Sequence, residues 1–173
     1  MNKTISYGKQ YIDNKDIKAV INSLKREKIT TGKLVEKFEK KINNFLNCKF
    51  SVTCNSGTSA LFLAFQAINL KKNDKIIMPS INFISSYNVA KLFGAKVFLA
   101  DVDKSTGQMT PKDIYDCCKK FKLKKIKALV IMYNGGYPQN ADKFQQFKKK
   151  LKCLIIEDAC HALGAEYLIK KKN

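Results

Sequence analysis

At 173 residues and 45% hydrophobic content, the chain has enough apolar material for one compact domain and too little length for two ordinary ones. Lysine and arginine total 33 against 14 aspartates and glutamates, and the resulting +19 suggests a nucleic-acid binder whose cations release counterions from phosphates. The distribution argues against that class: Arg26 is the only arginine, whereas base readout and bidentate phosphate clamps favour Arg over Lys, and lysines such as Lys25, Lys41, Lys71-Lys72, Lys124-Lys125 and Lys148-Lys149-Lys150 are scattered over helix faces and short linkers.

In chain order, residues 13–26 place Ile17, Val20, Ile21 and Leu24 on one helical face. Leu34, Phe38, Ile42, Phe45 and Leu46 do the same in a second amphipathic helix. Residues 49–54 read as a short strand, followed by the turn Asn55-Ser56-Gly57-Thr58-Ser59 and an apolar helix over about 60–68. A strand over 75–78 stops at Pro79, a helix over 86–93 ends at Gly94, and a strand over 96–102 ends at Asp103. Pro111 opens a helix to about Phe121, since its fixed φ and missing N–H suit the first helical position. A strand over 126–133, a charged helix over 142–151 and a last strand over 153–156 complete the series.

Strands alternating with helices predict an α/β fold with a mostly parallel sheet. The apolar runs ALVIM and CLII predict strands covered on both faces. With no internal repeat and no low-complexity linker, no domain boundary is expected inside the chain. Six cysteines, at 48, 54, 117, 118, 153 and 160, form no CxxC pair and no metal-ligand spacing around the single His161, so no metal is expected. Free thiols in or beside apolar segments fit a reducing, cytoplasmic setting. The opening MNKTISYGKQ lacks the apolar core of a signal peptide, and no segment approaches a membrane span.

In such a sheet, ligands collect at the carboxyl ends of the strands, which directs attention to three turns. At Asn55–Ser59, Gly57 would let the backbone approach an anion, and free N–H groups at the next helix start would face a phosphate. Alternatively, Ser56 or Thr58 merely caps that helix. After the strand KIIM, Phe83 could lie flat on a planar ring, or pack into the core beneath the following helix. In CLIIEDACHALGA, Asp158 ends an apolar strand, where a carboxylate costs several kcal/mol without a partner. A protonated pyridine nitrogen would be such a partner. If a helical turn begins there, His161 shares its face; otherwise Asp158 is an N-cap and His161 a hydrogen-bonded core residue.

Taken together, a phosphate cradle, a stacking aromatic and a pyridinium carboxylate in this order are what pyridoxal phosphate requires. The segments ISYGKQYID (5–13), ITTGKLVEKFEKK (29–41), CNSGTSALFLA (54–64), MPSINFISSYNVAKLFGAKVFLADVD (78–103) and EDACHALGAEY (157–167) carry a resemblance to the DegT/DnrJ/EryC1/StrS sugar aminotransferases. The resemblance implies a three-layer α/β/α fold, the N-terminal part of the large domain of pyridoxal phosphate-dependent transferases of aspartate aminotransferase type I. The whole chain, 1–173, would be a partial large domain, with N-terminal helices over 1–48 and an α/β core over 49–173, and the C-terminal half of the family missing.

By the same resemblance, Gly57, Thr58 and Ser59 hold the cofactor phosphate, Phe83 stacks on the ring, Asp158 faces the pyridine nitrogen and His161 lies near the ring oxygen. Tyr7 and Thr31 match segments near the sugar-nucleotide pocket. The family's Schiff-base lysine sits in a motif of the type SFHxxKxxTTGEGG downstream of the EDACHALGA match, and no such motif occurs in the sequence, so the catalytic group is expected outside it. The implied parent reaction is transfer of an amino group, usually from glutamate, to a 4-keto-6-deoxy amino-sugar nucleotide for surface glycans, by a homodimer when full length. Neither nucleic acid nor membrane is an expected partner. A dehydratase branch of the family, in which histidine replaces the lysine, and a non-catalytic remnant that binds cofactor or nucleotide sugar are the alternatives.

Overall fold

The computed structural model describes residues 8–26 and 28–167, which fall into two compact units, Met1–Val52 and Thr53–Asn173. In the first, helix α1 (Asn14–Leu24) starts at a reciprocal capping box: the Asp13 side chain accepts from the N–H of Asp16, and that of Asp16 accepts from the N–H of Asp13. Helix α2 (Lys33–Leu46) ends at Asn47, whose left-handed backbone (φ 48°) closes the last turn. Both helices carry the apolar faces read from the sequence, with Ile17, Val20, Phe38 and Phe45 exposed, and neither contains a buried residue.

The second unit holds helix α3 (Gly57–Ala67), strand β1 (Lys75–Pro79), helix α4 (Ser85–Leu92), strand β2 (Lys96–Ala100), helix α5 (Pro111–Lys120), strand β3 (Ala128–Met132), a short 3₁₀ turn (Asn134–Gly136), helix α6 (Ala141–Lys150) and strand β4 (Leu154–Asp158). The four strands form one parallel sheet in the order β2-β1-β3-β4. One face packs against α5 and α6 through Ile114, Cys117, Phe144 and Phe147. The other packs against α3 and α4 through Phe65, Val89 and Ala90. The second unit is thus the expected three-layer α/β/α arrangement.

Two expectations about strands change. Residues 49–54 are irregular and are not among the strands of the four-stranded sheet. The CLII segment is also not covered on both faces: β4 is an edge strand among the described residues and Leu154 is 44% exposed, whereas ALVIM in β3 is buried throughout. The helix after SGTS starts at Gly57 rather than near Ala60, since the Ser56 hydroxyl accepts the Ser59 N–H at 3.2 Å and caps it there. The Pro111 helix begins as expected, with Thr110 and Asp113 forming its capping box.

Leu129 lies in the middle of β3, fully buried, where truncation leaves a cavity that its close-packed neighbours cannot fill. Leu129→Ala should lower unfolding stability by about 2–5 kcal/mol in a denaturant titration. Leu92→Ala, at a 77% exposed position in α4, should stay within about 0.5 kcal/mol.

Candidate functional site

Consecutive residues of a strand face opposite sides of its sheet, so β4 divides its two carboxylates. Ile155 packs with the α5/α6 face and Ile156 with the α3/α4 face, so Glu157 goes with the former and Asp158 with the latter. Glu157 accepts a hydrogen bond from the Tyr133 hydroxyl at 2.9 Å, and burial together with that bond pushes the Tyr133 phenol well above its ordinary range. Asp158 is 7% exposed and stands in register with Met132 at the end of β3. Its carboxylate accepts from the Cys160 N–H at 3.3 Å, and among the described residues it forms no ion pair.

The strand order reverses between β1 and β3, which leaves a crevice at the carboxyl ends where their loops diverge. A cavity of about 560 Å³ lies there. Its wall includes Gly57 and Thr58 from the start of α3, Asn82 and Phe83 from the loop after β1, and Asp158 and His161 from the end of β4 and beyond. Residues more than a hundred positions apart in sequence therefore share one space. Phe83 is 64% exposed on the cavity wall, which removes the core-packing alternative.

At the head of α3, the first N–H groups have no acceptor within their own helix. Ser56 takes the Ser59 N–H, and the Ser59 hydroxyl donates to Asn55 Oδ1 at 2.6 Å, so Ser59 is tied into the turn and is not part of the cavity wall. Thr58 Oγ1 and the buried Ser85 Oγ are 2.7 Å apart, which joins the start of α3 to the start of α4. A methyl group on Gly57 would meet only Cys160 Sγ, at an ordinary 3.5 Å, so the open space at this glycine is the cavity itself.

Beyond Asp158 no helix forms among the described residues. The chain makes tight turns, with the Ala162 N–H on the Ala159 carbonyl at 2.8 Å, so Asp158 is not a helix N-cap and His161 does not reach the site by helical spacing. His161 Nδ1 instead accepts the N–H of Gly135 at 3.4 Å. Of the remaining expected contacts, Thr31 belongs to the first unit, in a separate cavity of about 500 Å³ with Arg26, Lys28 and Lys33. Tyr7 lies outside the described residues. Sequence reasoning passed over Asn82, Ser85, Asn134 and Cys160 in the wall. Cys160 carried a usable signal by sitting between the expected residues Asp158 and His161, and Asn82 and Ser85 by flanking Phe83; Asn134 becomes their neighbour only when β1 and β3 pair.

A parallel sheet with helices on both faces and this cavity at its switch point is the N-terminal part of the fold of pyridoxal phosphate-dependent aminotransferases. An aminotransferase from Psychrobacter cryohalolentis superposes with a TM-score of 0.83 at 28% identity, covering 91% of this chain and 39% of that one. The aminotransferase TlmJ from Streptoalloteichus hindustanus shares the fold, with a TM-score of 0.79 at 24% identity, covering 89% and 41%. The UDP-4-amino-4,6-dideoxy-N-acetyl-β-L-altrosamine transaminase of Campylobacter jejuni is 35% identical over 167 residues, covering 96% of this chain and 44% of its own length. The GDP-perosamine synthase of Escherichia coli O157:H7 is 30% identical over 136 residues, covering 79% and 36%. The chain belongs to the DegT/DnrJ/EryC1/StrS aminotransferase family, which it matches over residues 10–172. It spans less than half the length of these relatives.

The Cys160 thiol reports on the carboxylate beside it. Its hydrogen bond to Asp158, then partial burial and the negative charge, push it up to about 11, so it stays protonated and inert at neutral pH. Asp158→Asn should bring the thiol back toward the ordinary range and raise alkylation of Cys160 at pH 8.5 by about tenfold or more. Peptide mapping after iodoacetamide gives the rate, with Cys117, held up at about 11 chiefly by burial, as an internal control that should not change. An unaltered Cys160 rate would mean that Asp158 is not the thiol's partner.

Proposed function

We propose that the cavity holds pyridoxal 5′-phosphate and that this chain provides the cofactor-facing part of a nucleotide-sugar aminotransferase. The observation that carries the reading is Asp158: a buried carboxylate with no ion pair among the described residues, across a cavity whose other wall is the N-terminus of α3. Desolvating a carboxylate costs several kcal/mol, and one backbone N–H at 3.3 Å with one thiol returns less than that. A cationic ring nitrogen supplies the missing partner. The other wall residues fit the same group, since Gly57 is open toward the cavity and the α3 terminus offers N–H groups and a favourable dipole to a phosphate.

In this reading the N–H groups of Gly57 and Thr58 take the phosphate, with the Thr58 hydroxyl beside them and Ser59 holding the turn. Phe83 covers one ring face, and Asp158 keeps the proton on the pyridine nitrogen. His161 lies by the ring oxygen. Bound there, the cofactor supplies an electron-withdrawing ring that stabilises negative charge at the adjoining carbon. The proton-transfer step is assigned to none of these residues.

For the whole enzyme we propose transfer of an amino group from glutamate to the keto carbon of a 4-keto-6-deoxy amino-sugar nucleotide for surface glycan synthesis, in a cytoplasmic homodimer. The names of the Campylobacter and Escherichia relatives support a nucleotide-sugar substrate. The cations Arg26, Lys28 and Lys33 around Thr31 suit the diphosphate of such a substrate, and Tyr7 is proposed as a second contact.

Calorimetric titration of the chain with pyridoxal 5′-phosphate should give saturable binding that inorganic phosphate competes away. Asp158→Asn should weaken it by about 1.5–3 kcal/mol, roughly 10- to 150-fold. Gly57→Val, which fills the cradle, should abolish the phosphate competition. Absence of saturable binding by a chain with intact circular dichroism overturns the assignment.

A further inference from the structure

The turn after β3 has no role in the binding scheme above, yet it bonds the His161 ring and passes close to the His161 backbone. Gly135 and Gly136 both have left-handed backbones, φ 74° and 83°. Gly135 donates its N–H to His161 Nδ1 at 3.4 Å. A side chain on Gly136 would run into the backbone carbonyl of His161. The ends of the turn are braced by one buried side chain, 5% exposed: Gln108 Nε2 donates to the Asn134 carbonyl at 2.8 Å and to the Tyr137 carbonyl at 2.9 Å. The Tyr133 N–H, on the Asp158 carbonyl at 3.2 Å, ties the start of the same turn to β4.

A neutral imidazole has one donor and one acceptor nitrogen, and a bond made at one determines the state of the other. We propose that the Asn134-Gly135-Gly136 turn, braced by Gln108, is a positioning device that holds His161 with Nδ1 as acceptor and Nε2 protonated. The ring then offers a hydrogen-bond donor to the cavity. Gly135, Gly136 and Gln108 are positioning residues, which act on a bound molecule only through His161. The consequence for the cofactor rests on the reading of the cavity as a pyridoxal phosphate site, where an Nε2–H donor suits an anionic ring oxygen. The glycine requirement follows from geometry: residue 136 must pass the His161 backbone at a distance that leaves no room for Cβ, with a φ that side chains disfavour.

His161 is the only histidine in the chain, so ¹⁵N NMR reads its tautomer without ambiguity. The experiment uses the full chain without cofactor at pH 8.5. The expected result is a non-protonated Nδ1, a protonated Nε2, and a Gly135 amide protected from deuterium exchange. His161→Ala should expose that amide, raising its exchange rate tenfold or more. His161→Asn, whose side-chain oxygen can stand where Nδ1 stood, should restore most of the protection, and His161→Gln should not. Gln108→Ala should turn the single tautomer into a mixture.

Protonated Nδ1 in the unaltered chain, or a Gly135 amide that exchanges equally in the unaltered chain and in His161→Ala, overturns the proposal. If Gln108→Ala does not fold, the unaltered chain and the His161 variants decide. A chain with the expected tautomer and protection that binds no pyridoxal phosphate leaves this role standing and overturns the reading of the cavity. Binding of pyridoxal phosphate by a chain with protonated Nδ1 does the reverse.

Discussion

Strand parity at the end of β4 governs the arrangement of the site. Glu157 and Asp158 are adjacent carboxylates that the pleat sends to opposite faces of the sheet, where they meet different chemistry. Glu157 falls on the α5/α6 side and is bonded by Tyr133. Asp158 falls on the α3/α4 side, buried in a cavity wall whose described groups give it a backbone N–H and a thiol. A register slip of one residue between β3 and β4 would exchange the two and leave Glu157 facing the start of α3.

The rest of the cavity follows from where the sheet reverses its order. Because β1 and β3 are neighbours although β2 intervenes in sequence, their loops diverge at the switch point and leave room between them. Phe83 comes from one loop and Asn134 from the other. Helices α3 and α4, on the Asp158 face, are linked at their starts by the Thr58–Ser85 hydroxyl pair. Anion-directed N–H groups and a buried carboxylate thus border one space without an ion pair between them among the described residues. That polarity, positive at one wall and negative at the other, matches a ligand with a phosphate at one end and a cationic nitrogen at the other.

Most of the architecture could be read in the sequence where local chemistry and tertiary need agree. Pro111 at a helix start and the apolar run of β3 are such places. The reading failed where a segment's state depends on its neighbours. Residues 49–54 have strand-like composition but stand outside the four-stranded sheet, and β4 has the composition of a central strand but an edge position among the described residues. A shared face for Asp158 and His161 was conditional on a helical turn after Asp158; the chain folds there as tight turns, and His161 meets the Gly135 N–H instead.

Residue types and their order in the three strand-to-helix turns were enough to nominate Gly57, Thr58, Phe83, Asp158 and His161, because each chemistry needs its own side chain or backbone freedom. Period alone was enough for the alternation of strands and helices. What only the tertiary structure decided was which nominees meet. It turned Asp158 inward by strand parity, brought Phe83 out of the core, tied Ser59 into its own turn and supplied a donor to His161 Nδ1 from Gly135, 26 residues upstream. Those outcomes depend on strand pairing and layer packing, which join residues distant in the chain and leave no mark on the local sequence.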